Sequence, residues 1–327
     1  MRPTPPLNAP GGRGVVYCAG GLRHDGNPAV DATTVGRAPV ILVTGGTGAI
    51  GSELLRLLAQ AGVAARALTR NPQKTRVLPG IAWVAGDLAQ PETLAPAFDG
   101  ATKLFLLTSY YEDMIELQHN AIVAARAAGV THVVKVSAFA ASDHSRAPVG
   151  RWHSQVEKEL EESGMGWTIL RPHHFMQNLL GQAEYIVNDG VVYSASGDGK
   201  IPYVDARDVA AVAFVTLTQP GHLGRTYVVT GSEAISYRQA AELISAAIGK
   251  PLRFVDESPE QARARRVREG LPPAVIESAL AISAYQRAGG KTVTITSTVA
   301  DLTGRAPRTV AEFAREHATL FRGEQNG

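Results

Sequence analysis

A short apolar run, Val40-Ile41-Leu42-Val43, leads directly into a glycine-crowded turn, Thr44-Gly45-Gly46-Thr47-Gly48-Ala49-Ile50-Gly51. Gly46, Gly48 and Gly51 fall in a G-x-G-x-x-G spacing. That spacing carries chemistry when a buried strand precedes it and a helix follows. The apolar run reads as a strand buried on both faces. Beyond the turn, Ile50, Leu54, Leu57 and Leu58 share one helical face that closes at Gly62. Glycines here permit a tight turn and let backbone N–H groups approach an anion at the positive helix end. The pattern predicts a dinucleotide site with its pyrophosphate on that helix N-terminus.

Local charge indicates which dinucleotide. A site that reads a free ribose 2′-hydroxyl usually carries Asp or Glu about 20 residues on. Between Glu53 and Asp87 there is no carboxylate, and the second strand ends in Thr69-Arg70-Asn71-Pro72-Gln73-Lys74. The Arg70 guanidinium suits two parallel hydrogen bonds to a 2′-phosphate, and Lys74 adds a second positive charge. NADPH is the expected cofactor, with Asp87 and Leu88 beside the adenine.

The elements that must position these residues alternate regularly. Strands are expected at 40–43, 65–69, 82–85, 104–108, 133–137 and 167–170, with helices at 114–128 and 155–163 among them. Such alternation predicts an α/β fold, a Rossmann-type doubly wound parallel sheet. A smaller α/β lobe is expected over 173–327, interleaved with the sheet of the binding domain at 40–172. Its helices should lie at 208–217, 237–248, 259–269, 273–288 and 310–321, and its strands at 227–230 and 252–255. Arg263, Arg265, Arg266 and Arg268 read as a solvated helix face.

Composition narrows the functional classes. The 327 residues carry 32 Lys and Arg against 30 Asp and Glu, a formal net charge of +2. No basic excess of the kind that phosphate-backbone binding requires is present, so no nucleic-acid partner is expected. Cys18 is the single cysteine, which leaves no disulfide framework or thiolate-rich zinc site. His173 and His174 are adjacent, point apart on a regular element and lack an acid cluster, so no metal is expected. No apolar run approaches the ~20 residues of a membrane span, and residues 1–39 contain no signal-peptide core. A cytoplasmic monomer or homodimer is expected. Residues 1–39 read as a disordered extension, or as the product of a start codon placed too early.

As a set, several motifs resemble the atypical short-chain dehydrogenases. They are the glycine turn in its Gly45-x-x-Gly48-x-x-Gly51 spacing, Thr69-Arg70-Asn71-Pro72, Gly86-Asp87-Leu88, and Ser163-Gly164 followed by Thr168-Ile169-Leu170-Arg171-Pro172. Thr108-Ser109-Tyr110, Trp152-His153, Val156-Glu157 and Phe175-Met176-Gln177-Asn178 are similar to the NmrA-like branch of that family. The likeness runs from about Val40 to Phe321. It implies an NADP-binding Rossmann domain with a lobe closing over the nicotinamide. Thr108 and Ser109 would lie beside the cofactor and Trp152 on the substrate pocket.

Typical short-chain dehydrogenases pair Tyr and Lys in Tyr-x-x-x-Lys, the Tyr giving a proton and the Lys lowering its pKa. No such pair occurs here. The equivalent stretch reads His153-Ser154-Gln155-Val156-Glu157, and Ser137 at the end of strand five remains for the serine role. His-x-x-x-Glu resembles the quinone and dye reductases of the branch, whose electrophilic acceptors need less acid assistance. His153 is expected to hydrogen-bond or protonate the acceptor, with Glu157 one helical turn on holding its ring. Tyr110, Tyr111, His173, His174, Phe175, Met176 and Asn178 follow strand ends and are expected to wall an aromatic pocket. The expected function is NADPH-dependent hydride transfer to a quinone, azo or other aromatic carbonyl-like acceptor. Two alternatives stand beside it: a non-catalytic NADP-sensing regulator, and a ketoreductase whose substrate supplies its own proton.

Overall fold

The computed structural model describes residues 40–75, 77–109 and 112–324. The readings made for residues 1–39, Tyr110 and Tyr111 lie outside the described residues. Nine strands are formed among those described: β1 (Val40–Val43), β2 (Ala65–Thr69), β3 (Ile81–Ala85), β4 (Ala101–Leu106), β5 (His132–Val136), β6 (Gly166–Pro172), β7 (Val191–Ser194), β8 (Arg225–Val229) and β9 (Arg253–Asp256). The first half contributes helices α1 (Ala49–Gln60), α2 (Leu94–Phe98), α3 (Met114–Ala127) and α4 (Pro148–Glu162). The second half contributes α5 (Ala183–Asp189), α6 (Ala206–Thr218), α7 (Tyr237–Ile248), α8 (Pro259–Arg268), α9 (Pro273–Ala288), α10 (Thr298–Thr303), α11 (Val310–Glu316) and α12 (Ala318–Arg322).

Seven strands pair in the order β3-β2-β1-β4-β5-β6-β8, all parallel. The order reverses between β1 and β4, which opens a crevice at their carboxyl ends. Successive side chains of a strand alternate between faces, and β5 shows the consequence. Val134 and Val136 enter the core beneath α1 and α6, while Val133 enters the core beneath α3 and α4. A third core, built on Leu179, Val192, Tyr203, Ile244 and Phe313, fills the second half. There β7 and β9 form a separate parallel pair. The seventh strand of the main sheet and α6 come from beyond residue 172, so the second half of the chain also builds the first layer. No helix among the described residues is long and apolar enough to cross a membrane.

β2, α7 and α9 match the sequence expectation at both ends. The helix expected from Gln155 begins earlier, at Pro148, whose fixed φ suits a first helical turn. The helix expected over 310–321 divides at His317, whose ring stacks on Phe313 with centroids 4.1 Å apart. The arginine face of α8 is not uniformly solvated. Arg265 is buried, and its guanidinium grips Glu257 through two hydrogen bonds of 2.9 Å and Glu269 through one of 2.7 Å.

Candidate active site

The glycine turn sits at the carboxyl end of β1, on one lip of the crevice. Thr44 is buried, and its hydroxyl ties this lip to the other: it donates to the Leu107 carbonyl and accepts from the Leu107 N–H, each at 2.8 Å. Gly45 holds φ at +66°, and a Cβ there would press on the Leu107 backbone oxygen. A Cβ on Gly51 would collide with the Gly45 carbonyl. Gly46 and Ile50 are buried, whereas Thr47, Gly48 and Ala49 are exposed at the tip. Gly48 is the N-cap of α1, and no side chain caps its free N–H groups. Close backbone, missing Cβ atoms and an uncapped helix start fit a pyrophosphate of a dinucleotide.

Around this cradle, Arg70 is exposed at the end of β2. Lys74 closes a single 3-10 turn, Pro72–Lys74, and its side chain lies outside what is described. The Asp87 carboxylate accepts from the Ala89 N–H at 3.0 Å and so shapes the turn after β3. Leu88 is half-buried against the α2–α3 core, and its carbonyl accepts from Asn120. Thr108 accepts a 2.8 Å hydrogen bond from buried Gln118, and Ser109 is exposed.

At the carboxyl ends of β5 and β6 a polar network lies under α4. Ser137 donates to Glu157, and Arg171 grips the same carboxylate through two hydrogen bonds, the Nε one at 3.0 Å. The sequence assigned Glu157 to the His153 ring, but the structure turns its carboxylate to Arg171 and Ser137. The partner of His153 is Lys135, whose Nζ stands 3.1 Å from Nδ1. Lys135 is fully buried in β5 and was not among the expected site residues. It sat within an apolar strand pattern, where a single lysine gives no motif, although one charge at a core position was the available signal. Burial brings its pKa down to about 7, partly countered by Glu157 and reinforced by Arg171. Burial, then the charges of Lys135 and Arg171, push His153 well below the usual imidazole range, so its ring is neutral.

The residues after β6 divide between crevice and core. The His173 ring lies against Phe139, centroids 4.4 Å apart, and its Nδ1 accepts from the His174 N–H at 2.8 Å. Burial, with His174 nearby, lowers His173 to about 3. His174 was expected on the pocket wall. Instead its Nε2 pairs with the Tyr237 hydroxyl at 2.8 Å and with Asn178 at 3.2 Å, inside the second-half layer. Met176 is likewise buried in that core, and Phe175 packs on the α1–α6 core. These contacts share one cause: after β6 the chain turns into a short 3-10 helix at Met176–Gln182 that seats the lobe. Trp152 is half-buried on α4. A groove of about 650 Å³ opens instead between the β5–α4 loop and α9, lined by Phe139, Ile282, Tyr285 and Ala288 with Arg146 and Lys291. No metal-binding cluster occurs among the described residues.

The NmrA-like family model matches residues 38–314. An NAD(P)H azoreductase from Xenophilus azovorans is 42% identical over 289 residues, 86% of this chain and 99% of that one. The NADPH-dependent quinone oxidoreductase of Escherichia coli, solved with NADPH, superimposes with a TM-score of 0.77 at 29% identity, covering 84% of this chain and 99% of its own. The Citrobacter sp. triphenylmethane reductase complexed with NADP(H) gives a TM-score of 0.73 at 26% identity, over 85% and 99% of the two chains. With the glycine cradle, the reversed strand order and this near-complete coverage, the chain belongs to the NmrA-like family.

Proposed function

We propose that this chain is an NADPH-dependent oxidoreductase that passes hydride to a quinone, azo or related electron-poor aromatic acceptor. The observation that carries this reading is a built dinucleotide cradle on the same sheet edge as a buried His153–Lys135 pair. Three relatives that match 84–86% of the chain are an azoreductase, a quinone oxidoreductase and a triphenylmethane reductase. Bound NADPH supplies the hydride from its nicotinamide. The residues of this chain do the rest. The turn from Gly45 to Gly51 and the start of α1 hold the diphosphate, and Arg70 meets the 2′-phosphate. His153, neutral and hydrogen-bonded, is the group that faces the acceptor's developing negative charge. The groove between Phe139 and Tyr285 provides an apolar wall for a flat ring.

The test is NADPH oxidation followed at 340 nm with a panel of quinones, azo dyes, triarylmethane dyes and aromatic ketones, in wild type and His153→Ala. Acceptor-dependent oxidation, lowered by roughly 10²-fold in the variant for acceptors that take up a proton, is expected. Tight NADPH binding without turnover of any acceptor sinks the reading in favour of a cofactor sensor.

A further inference from the structure

We infer that Lys135 is the proton source behind His153: it fixes the ring with its proton on Nε2 and refills the ring as that proton passes to the reduced acceptor. The inference rests on the oxidoreductase reading above and specifies how a chain lacking Tyr-x-x-x-Lys delivers a proton.

A fully buried lysine near the carboxyl end of an interior parallel strand has no structural need to be there, since an apolar residue fills the position at lower desolvation cost. Its neighbours across the sheet, Leu106 of β4 and Ile169 of β6, carry no charge. Charged and titratable groups reach it from two elements only among those described. α4 brings His153 and Glu157, and the end of β6 brings Arg171, which also senses Glu161. The obvious counter-ion is already engaged, because Glu157 accepts from Ser137 and from Nε and Nη2 of Arg171. The Lys135 ammonium therefore turns to the Val136 carbonyl at 3.2 Å and to the imidazole at 3.1 Å.

An ammonium has donors and no acceptor. Nδ1 of His153 must then accept, and the neutral ring carries its proton on Nε2. A neutral imidazole cannot give up that proton unaided, because the anion left behind is too basic. With Lys135 in contact, the Nε2 proton moves to the acceptor oxygen or nitrogen while Nδ1 takes one from Nζ. His153 ends neutral in the other tautomer and Lys135 ends as an amine. Solvent restores the proton once product has left. Burial places Lys135 near pH 7, where such a gift costs little. The arrangement does with Lys and His across two elements what Tyr and Lys do on one helix.

Acceptor chemistry supplies an internal control. A quinone or azo bond gains a hydride and must also gain a proton. A triarylmethane cation gains a hydride alone and becomes the neutral leuco compound. Lys135→Met should lower kcat about 10²-fold with a quinone or azo acceptor and change it less than threefold with a cationic triarylmethane dye. Wild-type kcat with a quinone should fall above about pH 7, and the variant's profile should be flat there. Lys135→Gln keeps an N–H for Nδ1 and has no proton to give, so it should behave like the Met variant. Equal losses on both acceptor types, or full recovery by Gln, would overturn the inference. Nitrogen-15 NMR of the imidazole provides a readout without turnover: the cofactor-free protein should show His153 protonated at Nε2, and Lys135→Met should lose that preference. An Nδ1-protonated ring in wild type would also overturn it. Failure of wild type to reduce any acceptor would count against the oxidoreductase reading instead, with the NMR result still standing.

Discussion

Arg70 stands exposed at the end of β2 with no ion-pair partner among the described residues, so its charge is available to a 2′-phosphate. Arg70→Ala should raise KM for NADPH about tenfold and leave KM for NADH nearly unchanged, as measured by initial rates with each cofactor. Lys135 makes a separate prediction for stability. Its folded pKa of about 7 lies below the unfolded 10.5, so the unfolded chain holds more protons between those values. Stability should therefore rise with pH through that window, and denaturant titrations of Lys135→Met should show a flatter pH dependence and a gain at pH 7 or below. The tight glycine turn was legible from residue type and spacing. Lys135 was not, because what distinguishes it is the imidazole 18 positions away that α4 lays over it.

At the scale of elements, α1 can begin where it does only because Gly51 passes against the Gly45 carbonyl. Gly51→Ala should push the helix start off the turn and weaken NADPH binding more than tenfold by fluorescence titration, with far-UV circular dichroism unchanged. α8 is anchored differently, by buried Arg265 between Glu257 and Glu269. Arg265→Ala strands the Glu257 charge and should cost about 3 kcal/mol in chemical denaturation, without altering cofactor affinity. α7 and α9 were read to their last residue, because a glycine stop follows each of them. α2, α5 and α10 were missed, being too short to show a period. β7 was missed because its partner β9 lies some 60 residues downstream, a pairing no local pattern reveals.

For the whole molecule, cofactor binding to the folded state alone should raise stability by about 2.7 kcal/mol at 100-fold excess over Kd. Scanning fluorimetry should then show a rise in Tm of about 5 °C with NADPH and a smaller one with NADH. The sequence by itself determined the parallel α/β fold, the dinucleotide turn and the absence of a Tyr-x-x-x-Lys pair. These are local properties of strand hydrophobicity, glycine spacing and side-chain type. Only the tertiary structure decided how the polar groups of that stretch are partnered. Sheet register brings Lys135, Ser137 and Arg171 to one edge, α4 covers them with His153 and Glu157, and Arg171 takes the carboxylate that helix spacing had assigned to the histidine. The lobe drew Met176 into its core and paired half-buried His174 with Tyr237, while an apolar groove opens between α9 and the β5–α4 loop. Partner choice among buried polar groups depends on distance and desolvation in three dimensions, which spacing along the chain does not encode.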